Sequence, residues 1–447
     1  MGQAGSASLA SALLSALAAK VIAASGGPSA IALYASLQQA RQAGLVIATA
    51  NGQTALVQGA SAQQGEAQRE FVRTAAWIFS GLTALVGVLF WSAPLLPHGS
   101  IPAQILASIP GSSQMLRAMA GPVAVSAIFV FLSGLLTVLG RVGVLASLQV
   151  ISAGALAGCI LHFSRSASGA LDFRTLAGSM TAAGGLVVVI GCLALFRDRN
   201  TWGGWIVGPG KLWSWVAARH YFSISGGMLV TGLLSSSMLL MVRGRVGHLA
   251  GSTAVGQFDA AWGISMNQTA LVLSSMQTYC LPLLSEINTN QQRSREVSRL
   301  VMAAAGVGAV AVILIAIVKP WLLSTLYSSA FAPAGRVLRW TLMGDFCKIT
   351  SWVLALSLLA TGDWKAFFAA DVAAYGAFGL SHMFLTRWLD PAAAGGAAFL
   401  CMYAIHLLVC LGCLWARHGF RPSRAAALLW CGLALLVSLS SWAAWDY

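Results

Sequence analysis

The chain has 447 residues, 58% of them hydrophobic and only 9% charged, with a mean hydropathy of +0.78. That composition excludes an ordinary soluble domain and makes lipid the solvent. A formal charge of +14 would suggest nucleic acid in a soluble protein, but here the basic residues are scattered over many short connections, where anionic lipid headgroups are the expected partner and no nucleic acid is.

Thirteen stretches are long and apolar enough to span a bilayer. In chain order they are 5–25, 30–50, 73–95, 118–140, 142–162 and 177–196, then 221–242, 256–284, 300–323, 336–360, 365–386, 393–416 and 425–444. Unpaired backbone groups are costly in hydrocarbon, and short alternating strands of the barrel kind are missing from the pattern, so the spans are helices and the class is an all-α polytopic membrane protein. Nothing basic precedes Lys20 and a second span follows at once, so the first stretch reads as a span and not as a cleaved signal. Sorting the connections alternately puts fourteen Lys and Arg on one side and nine on the other, which sets the amino terminus in the cytoplasm and the carboxyl terminus outside. The eight cysteines lie within spans and read as small core hydrophobes, with no metal site implied.

No connection exceeds about two dozen residues, which leaves no room for a soluble catalytic or nucleotide-binding domain. The longest cytoplasmic one, 197–220, divides six spans from seven and sets the expected organisation: a six-helix lobe over 1–196, the connection 197–220, a second six-helix lobe over 221–417, and an added helix over 418–447. An offset of 224 residues pairs Ala30 with Ala254, Tyr34 with Phe258, Gln53 with Gln277 and Thr54 with Thr278, the trace expected of two related bundles.

An ionisable group at mid-bilayer costs about 2.5 to 3.5 kcal/mol on insertion scales, so each should face protein, water or ligand. In the second span Tyr34, Gln38 and Arg41 share a helix face at i, i+4 and i+7. Arg41 suits a phosphate or carboxylate through its planar fork; the alternative is a structural pair with Asp259 or Asp371. Lys20 either snorkels to the headgroups or meets an anion. The eighth span carries Asp259, Trp262, Ser265, Asn267, Gln268, Ser274, Ser275, Gln277 and Thr278, more polar groups than lipid accepts, so it should be buried along a watery path. In the tenth span Asp345 and Lys348, at i and i+3 with Thr341 and Trp352, either neutralise each other or form a ligand or proton site. In the eleventh, Asp371, Tyr375 and His382 at i, i+4 and i+11 offer a proton-linked strip, the alternative being a His382 satisfied near the outer interface. The chain contains no GxxxxGK[ST], no metal-spaced His or Cys cluster and no GxSxG, so neither an enzyme, an ATPase nor a cofactor is expected.

Three segments carry a resemblance to a known family. Residues 19–63 (AKVIAASGGPSAIALYASLQQARQAGLVIATANGQTALVQGASAQ) have a Gly-Pro turn and an Asn-Gly after the second helix; residues 254–287 contain GQFDAAWGIS and then YCLPLLS; residues 331–362 contain FAPAGRVLRWTLMGDFCK. They resemble the bacterial polysaccharide transporter family, the Wzx-type flippases of the MOP superfamily, and within it those of enterobacterial common antigen type. Two departures are the glycine before Arg336 and the thirteenth span. The resemblance implies an inverted V of two six-helix bundles related by a pseudo-two-fold axis around a hydrophilic cavity. It implies movement of an undecaprenyl-pyrophosphate-linked oligosaccharide from the cytoplasmic to the outer leaflet of a bacterial inner membrane, for O-antigen, common antigen or exopolysaccharide synthesis. Arg41, Lys348 and Lys20 would meet the pyrophosphate, and Gln38, Asn267 and Trp262 the sugars. Asp371, with or without His382, would carry a coupling proton, a sodium gradient being the other source, with Asp259 and Asp345 in coupling or charge pairing. A polysaccharide polymerase and a chain-length regulator are the implied partners. A multidrug antiporter of the same superfamily is the competing reading. A membrane glycosyltransferase or polymerase is another, although the outer connection 97–117 offers it only His98 and Arg117.

Overall fold

The computed structural model describes residues 2–92, 112–166, 172–196, 211–285, 287 and 289–443. Residues 97–111 with His98, residues 197–210, and the side chains of Ser274, Ser275, Gln277 and Thr278 lie outside the described residues. The helices are α1 Gly2–Ala48, α2 Gln53–Ser61, α3 Gly65–Ser92, α4 Ser112–Val138, α5 Val142–Ser166, α6 Phe173–Phe196, α7 Trp215–Ser285, α8 Asn290–Leu326, α9 Ala334–Ala360, α10 Trp364–Leu385, α11 Pro391–His418 and α12 Arg424–Ala443, with no strand among the described residues.

Ten of these helical runs are long and apolar enough to cross a membrane. Helix α1 has 47 residues, about 70 Å at 1.5 Å per residue, more than twice a ~30 Å hydrocarbon core. It therefore holds two of the expected spans, and its helical course breaks between them at Gly27 (φ 62°, ψ −151°), beside Pro28. The 71-residue α7 breaks in the same way at Gly251 (φ 80°, ψ 175°). Only glycine takes such angles without steric cost. Helix α10, with Lys365, Asp371 and His382 among its 22 residues, is outside that apolar set.

The chain divides into two compact units, Met1–Ser237 and Met238–Tyr447. The division falls inside α7, which starts at Trp215, within the expected connection. In the first unit α1 packs on α3, α4 and α5, and α4 packs on α3 and α6, over a core that includes Leu56, Phe71, Leu135, Leu136 and Tyr221. The turn after α1 is pinned to α7: Tyr221 Oη donates to Thr49 O at 2.7 Å and Asn51 Nδ2 to Met228 O at 2.8 Å. A Cβ on Gly52 would lie 1.8 Å from Tyr221 Oη, the physical basis of the Asn-Gly pair.

In the second unit α9 is the central helix, packed by α8, α10, α11 and α12 and buried over most of its length. Glycines let α11 approach it: a Cβ on Gly344 would meet Phe399 at 2.5 Å, and one on Gly396 would meet the Val337 carbonyl at 2.7 Å. Helix α12 packs on α8 and α9 through Trp430 against Phe346 and Trp442 against Trp340, with the Arg339 guanidinium 4.0 Å from the Trp442 ring centre. Its Leu428, Leu435 and Leu439 face outward, as a lipid-facing helix requires.

Candidate functional site

In the first unit the polar face of α1 closes into a hydrogen-bonded chain. Gln38 Nε2 donates to Tyr34 Oη at 2.7 Å, Arg41 Nε donates to Gln38 Oε1 at 2.9 Å, and Arg41 Nη1 donates to Ser126 Oγ on α4 at 2.9 Å. These groups border a cavity of about 250 Å³ whose polar lining is Gln38, Arg41, Gln42, Ser126 and Ser152 and whose apolar walls include Val125, Phe129, Met180 and Val187. No carboxylate lines it. The acids of this half of the sequence, Glu66, Glu70, Asp172 and Asp198, lie outside its spans. Among the described residues of this unit no carboxylate pairs with Arg41. All its hydrogen-bond partners are neutral, so the cavity keeps a positive charge and unused N–H groups of a five-donor guanidinium. Lys20 is exposed on α1 and stands apart from this lining.

In the second unit each acid among the described residues has a polar partner. Arg243 Nε lies 2.6 Å from Asp259 Oδ1 across the break in α7, both side chains buried. Asp345 Oδ1 accepts from Ser265 Oγ at 2.7 Å while its Oδ2 is buried with no hydrogen bond. Lys348 is beyond ion-pair distance of Asp345. Its Nζ donates to Thr269 Oγ1 at 3.2 Å and to Met266 Sδ at 3.4 Å, and stands 5.3 Å from the Tyr403 ring centre and 5.9 Å from that of Phe399. Both side chains are buried and each is hydrogen-bonded to α7, Asp345 through Ser265 and Lys348 through Thr269. Trp262 packs among Phe258, Phe378 and Phe399, with centroids 5.1–6.0 Å away, and Asn267 is exposed.

On the eleventh span Asp371 and His382 meet different partners. His382 is fully buried, with Nε2 3.3 Å from the Pro391 carbonyl and Nδ1 without a partner. Asp371 meets His406 of α11 instead, Oδ1 to Nε2 at 3.5 Å. Eleven residues along a helix span about 16 Å, too far for Asp371 and His382 to touch. Sequence reasoning passed over Ser126, Ser152, Arg243, Ser351 and His406. Of these only His406 had a local signal, as the lone charged or imidazole side chain in the apolar stretch 393–416.

Comparison with known proteins follows the same lines. A family described as polysaccharide biosynthesis protein matches residues 185–343. The lipid III flippases of Escherichia coli K12 and Shigella flexneri are each 24% identical over 196 residues, covering 43% of this chain and 46% of the relative. The matched stretch thus spans under half the length of these curated relatives. Among solved structures, the chain is similar to an inward-facing multidrug resistance MATE family transporter of the MOP superfamily, with TM-score 0.73 and 12% identity over 94% of this chain and 95% of that one. It is also similar to the lipid II flippase MurJ in an inward closed conformation, with TM-score 0.66 and 13% identity over 98% of each chain. At such identities the likeness is one of fold alone, an all-helical fold that the chain shares with these two transporters.

Proposed function

We propose that the chain is a flippase of the bacterial inner membrane that moves a pyrophosphate-linked polyprenyl oligosaccharide from the cytoplasmic to the outer leaflet. The observation that carries the reading is the Arg41 cavity: a cation with neutral hydrogen-bond partners in a space free of carboxylates. At about 250 Å³ it falls below the ~300–1,000 Å³ of sites for drug-sized molecules, so it would take the diphosphate end and leave the sugars elsewhere. Gln38 and Ser126 hold the guanidinium, which gives an anion a fixed fork to meet. Lys348, enclosed by Thr269, Tyr403 and Phe399, would have to be uncovered to take part. The sugar, whether of O-antigen, common antigen or exopolysaccharide type, and a polymerase or chain-length regulator as partner, follow from this reading as its finer terms.

The MATE likeness supports a second reading, export of cationic drugs on the same fold. Charge separates the two, since an organic cation would meet an unneutralised guanidinium at Arg41. The test is the cytoplasmic-leaflet pool of lipid-linked oligosaccharide in a strain deleted for this protein, with and without plasmid rescue. Accumulation reversed by rescue is expected. Normal passage to the outer leaflet, with altered drug resistance, would replace the flippase with the antiporter.

A further inference from the structure

Where α8 begins and α11 ends, the second unit encloses a small polar notch that the anion reading leaves unused. Arg293, Ser294 and Val297 of α8 line it, with Ser357 of α9, Leu414 and His418 of α11, and Phe420 just beyond. Thr289 caps α8, its Oγ1 accepting from the Gln292 amide at 3.4 Å. Arg293 and Ser294 therefore stand by the first turn of a helix, where unpaired N–H groups leave a partial positive charge. Gly419 (φ 66°) ends α11 in the left-handed region, and the Phe420 amide turns back to donate to the Leu414 carbonyl at 3.1 Å. That turn seats the buried Phe420 ring against the notch.

Two polar groups in this lining have no hydrogen bond. Ser357 is 0% exposed and its Oγ has no partner. A serine or threonine in a helix interior can return its hydroxyl to a carbonyl one turn back, as Thr350 and Ser351 do on the same helix. The Arg293 guanidinium is tied through Nη2 to the Ile287 carbonyl, while its Nε is buried and unpaired. Among the described residues no carboxylate meets it. Asp363 is occupied by Arg417 Nη1 at 3.0 Å and His418 Nε2 at 3.3 Å, and Glu296 lies toward Arg299 at 3.9 Å. A buried donor left unpaired is costly, and a cation beside a helix N-terminus is opposed by the dipole. One negatively charged acceptor in the notch relieves both. The space is about 10 Å³, the room of a single water-sized atom, so what enters is one oxygen and not a whole group.

We propose that this notch is a binding site for the phosphate of an anionic phospholipid, gripping one phosphoryl oxygen between Arg293 Nε and the Ser357 hydroxyl while the rest of the headgroup stands outside. The level fits a headgroup. Trp415, next to Leu414, and Trp364, next to Asp363, are both exposed, and indoles so placed mark the belt where a membrane meets water. Scattered loop arginines would hold headgroups by charge alone, whereas a buried hydroxyl and a fixed N–H define one position. The notch lies in the second unit and the Arg41 cavity in the first, so this site does not rest on the flippase reading.

The test is native mass spectrometry of the full-length protein released from nanodiscs of phosphatidylethanolamine with phosphatidylglycerol, beside melting temperatures in detergent with phosphatidylglycerol or inorganic phosphate added. Wild type should retain phosphatidylglycerol and melt higher in its presence. Ser357→Ala removes only an unpartnered hydroxyl and should lower retention several-fold; Arg293→Gln should take it to background. Arg299→Gln makes the same change of charge on an exposed side chain at the same end and should leave retention as it is. If Arg293→Gln fails to fold, Ser357→Ala against Arg299→Gln still decides. A melting shift with inorganic phosphate that Ser357→Ala loses would keep the phosphate site and overturn the lipid as its source. Retention unchanged in Ser357→Ala, or lowered equally in Arg299→Gln, would overturn the site and leave the notch to a single water.

Discussion

Arg41 can be judged by what its neighbours lack. A hydrogen bond to a charged group contributes about 1.5–3 kcal/mol, so Arg41→Ala should lower flipping roughly ten- to hundredfold with membrane abundance unchanged. Arg41→Lys should recover part of it, because the charge returns without the fork that grips Gln38 and Ser126. Quantitative blotting beside a flipping assay separates the cases, and abundance falling in step with activity would make Arg41 structural. Gly52 tests the turn after α1: Gly52→Ala drives a methyl into Tyr221 and should cost about 1–3 kcal/mol, seen as a lower melting temperature in detergent. Gly158→Ala in α5, where a Cβ would meet nothing within 4 Å, is the matched control and should be neutral or stabilising. The face Tyr34–Gln38–Arg41 was legible in the sequence because its spacing is local to one helix. Ser126, which completes it from 85 residues away, was not, since a lone serine in an apolar run carries no sign of what it will face.

The helices themselves were legible wherever apolar length decides them, and Gly27–Pro28 marked the break in α1 openly. The start of α7 at Trp215 was not, because hydropathy passes over an interfacial turn containing Trp215, Arg219 and His220. Nor was the joining of Arg243 to Asp259, which depends on the Gly251 break folding two parts of α7 toward each other. Removing one partner of a buried pair leaves an uncompensated charge, at about 3–5 kcal/mol. Arg243→Ala should therefore destabilise strongly, and Arg243→Ala with Asp259→Ala should recover much of the loss, as thermal melts of the single and double variants would show. At the membrane edge, Asp363 caps α10 through the Ala366 amide at 3.2 Å and holds Arg417 Nη1 at 3.0 Å and His418 Nε2 at 3.3 Å. Burial alone would raise the Asp363 pKa, but hydrogen bonds from Arg417, the Ala366 amide and His418 outweigh it and hold the carboxyl below its ordinary value. A depressed carboxyl stabilises the fold above its unfolded pKa of ~3.9 and loses that contribution as pH falls through the lower folded value. Wild type should thus lose its margin over Asp363→Asn on acidification below about pH 4; a margin constant down to pH 2 would remove this role.

For the whole molecule, the parity of the crossings is the open quantity. Helix α12 has 20 residues, about 30 Å of helix against a hydrocarbon core of about 30 Å, and its outward leucines fit lipid contact. Before it come Arg417 and Arg421, at the same end of α11 as the Asp363 cap, and Lys365 follows that cap by two residues. By the positive-inside rule this clustering of basic residues predicts the cytoplasmic side here. If α12 crosses from there, the carboxyl terminus emerges outside, opposite the amino terminus. A reporter active only outside the cytoplasm, fused after Tyr447, should be active, and the same reporter fused before Met1 should be silent. Both silent would mean that α12 lies along the interface or turns back, leaving an even number of crossings. Arg339 over Trp442 and Trp430 against Phe346 would then hold a surface helix on α9, so Trp442→Ala with the same fusions should release it without changing the sidedness of the earlier spans.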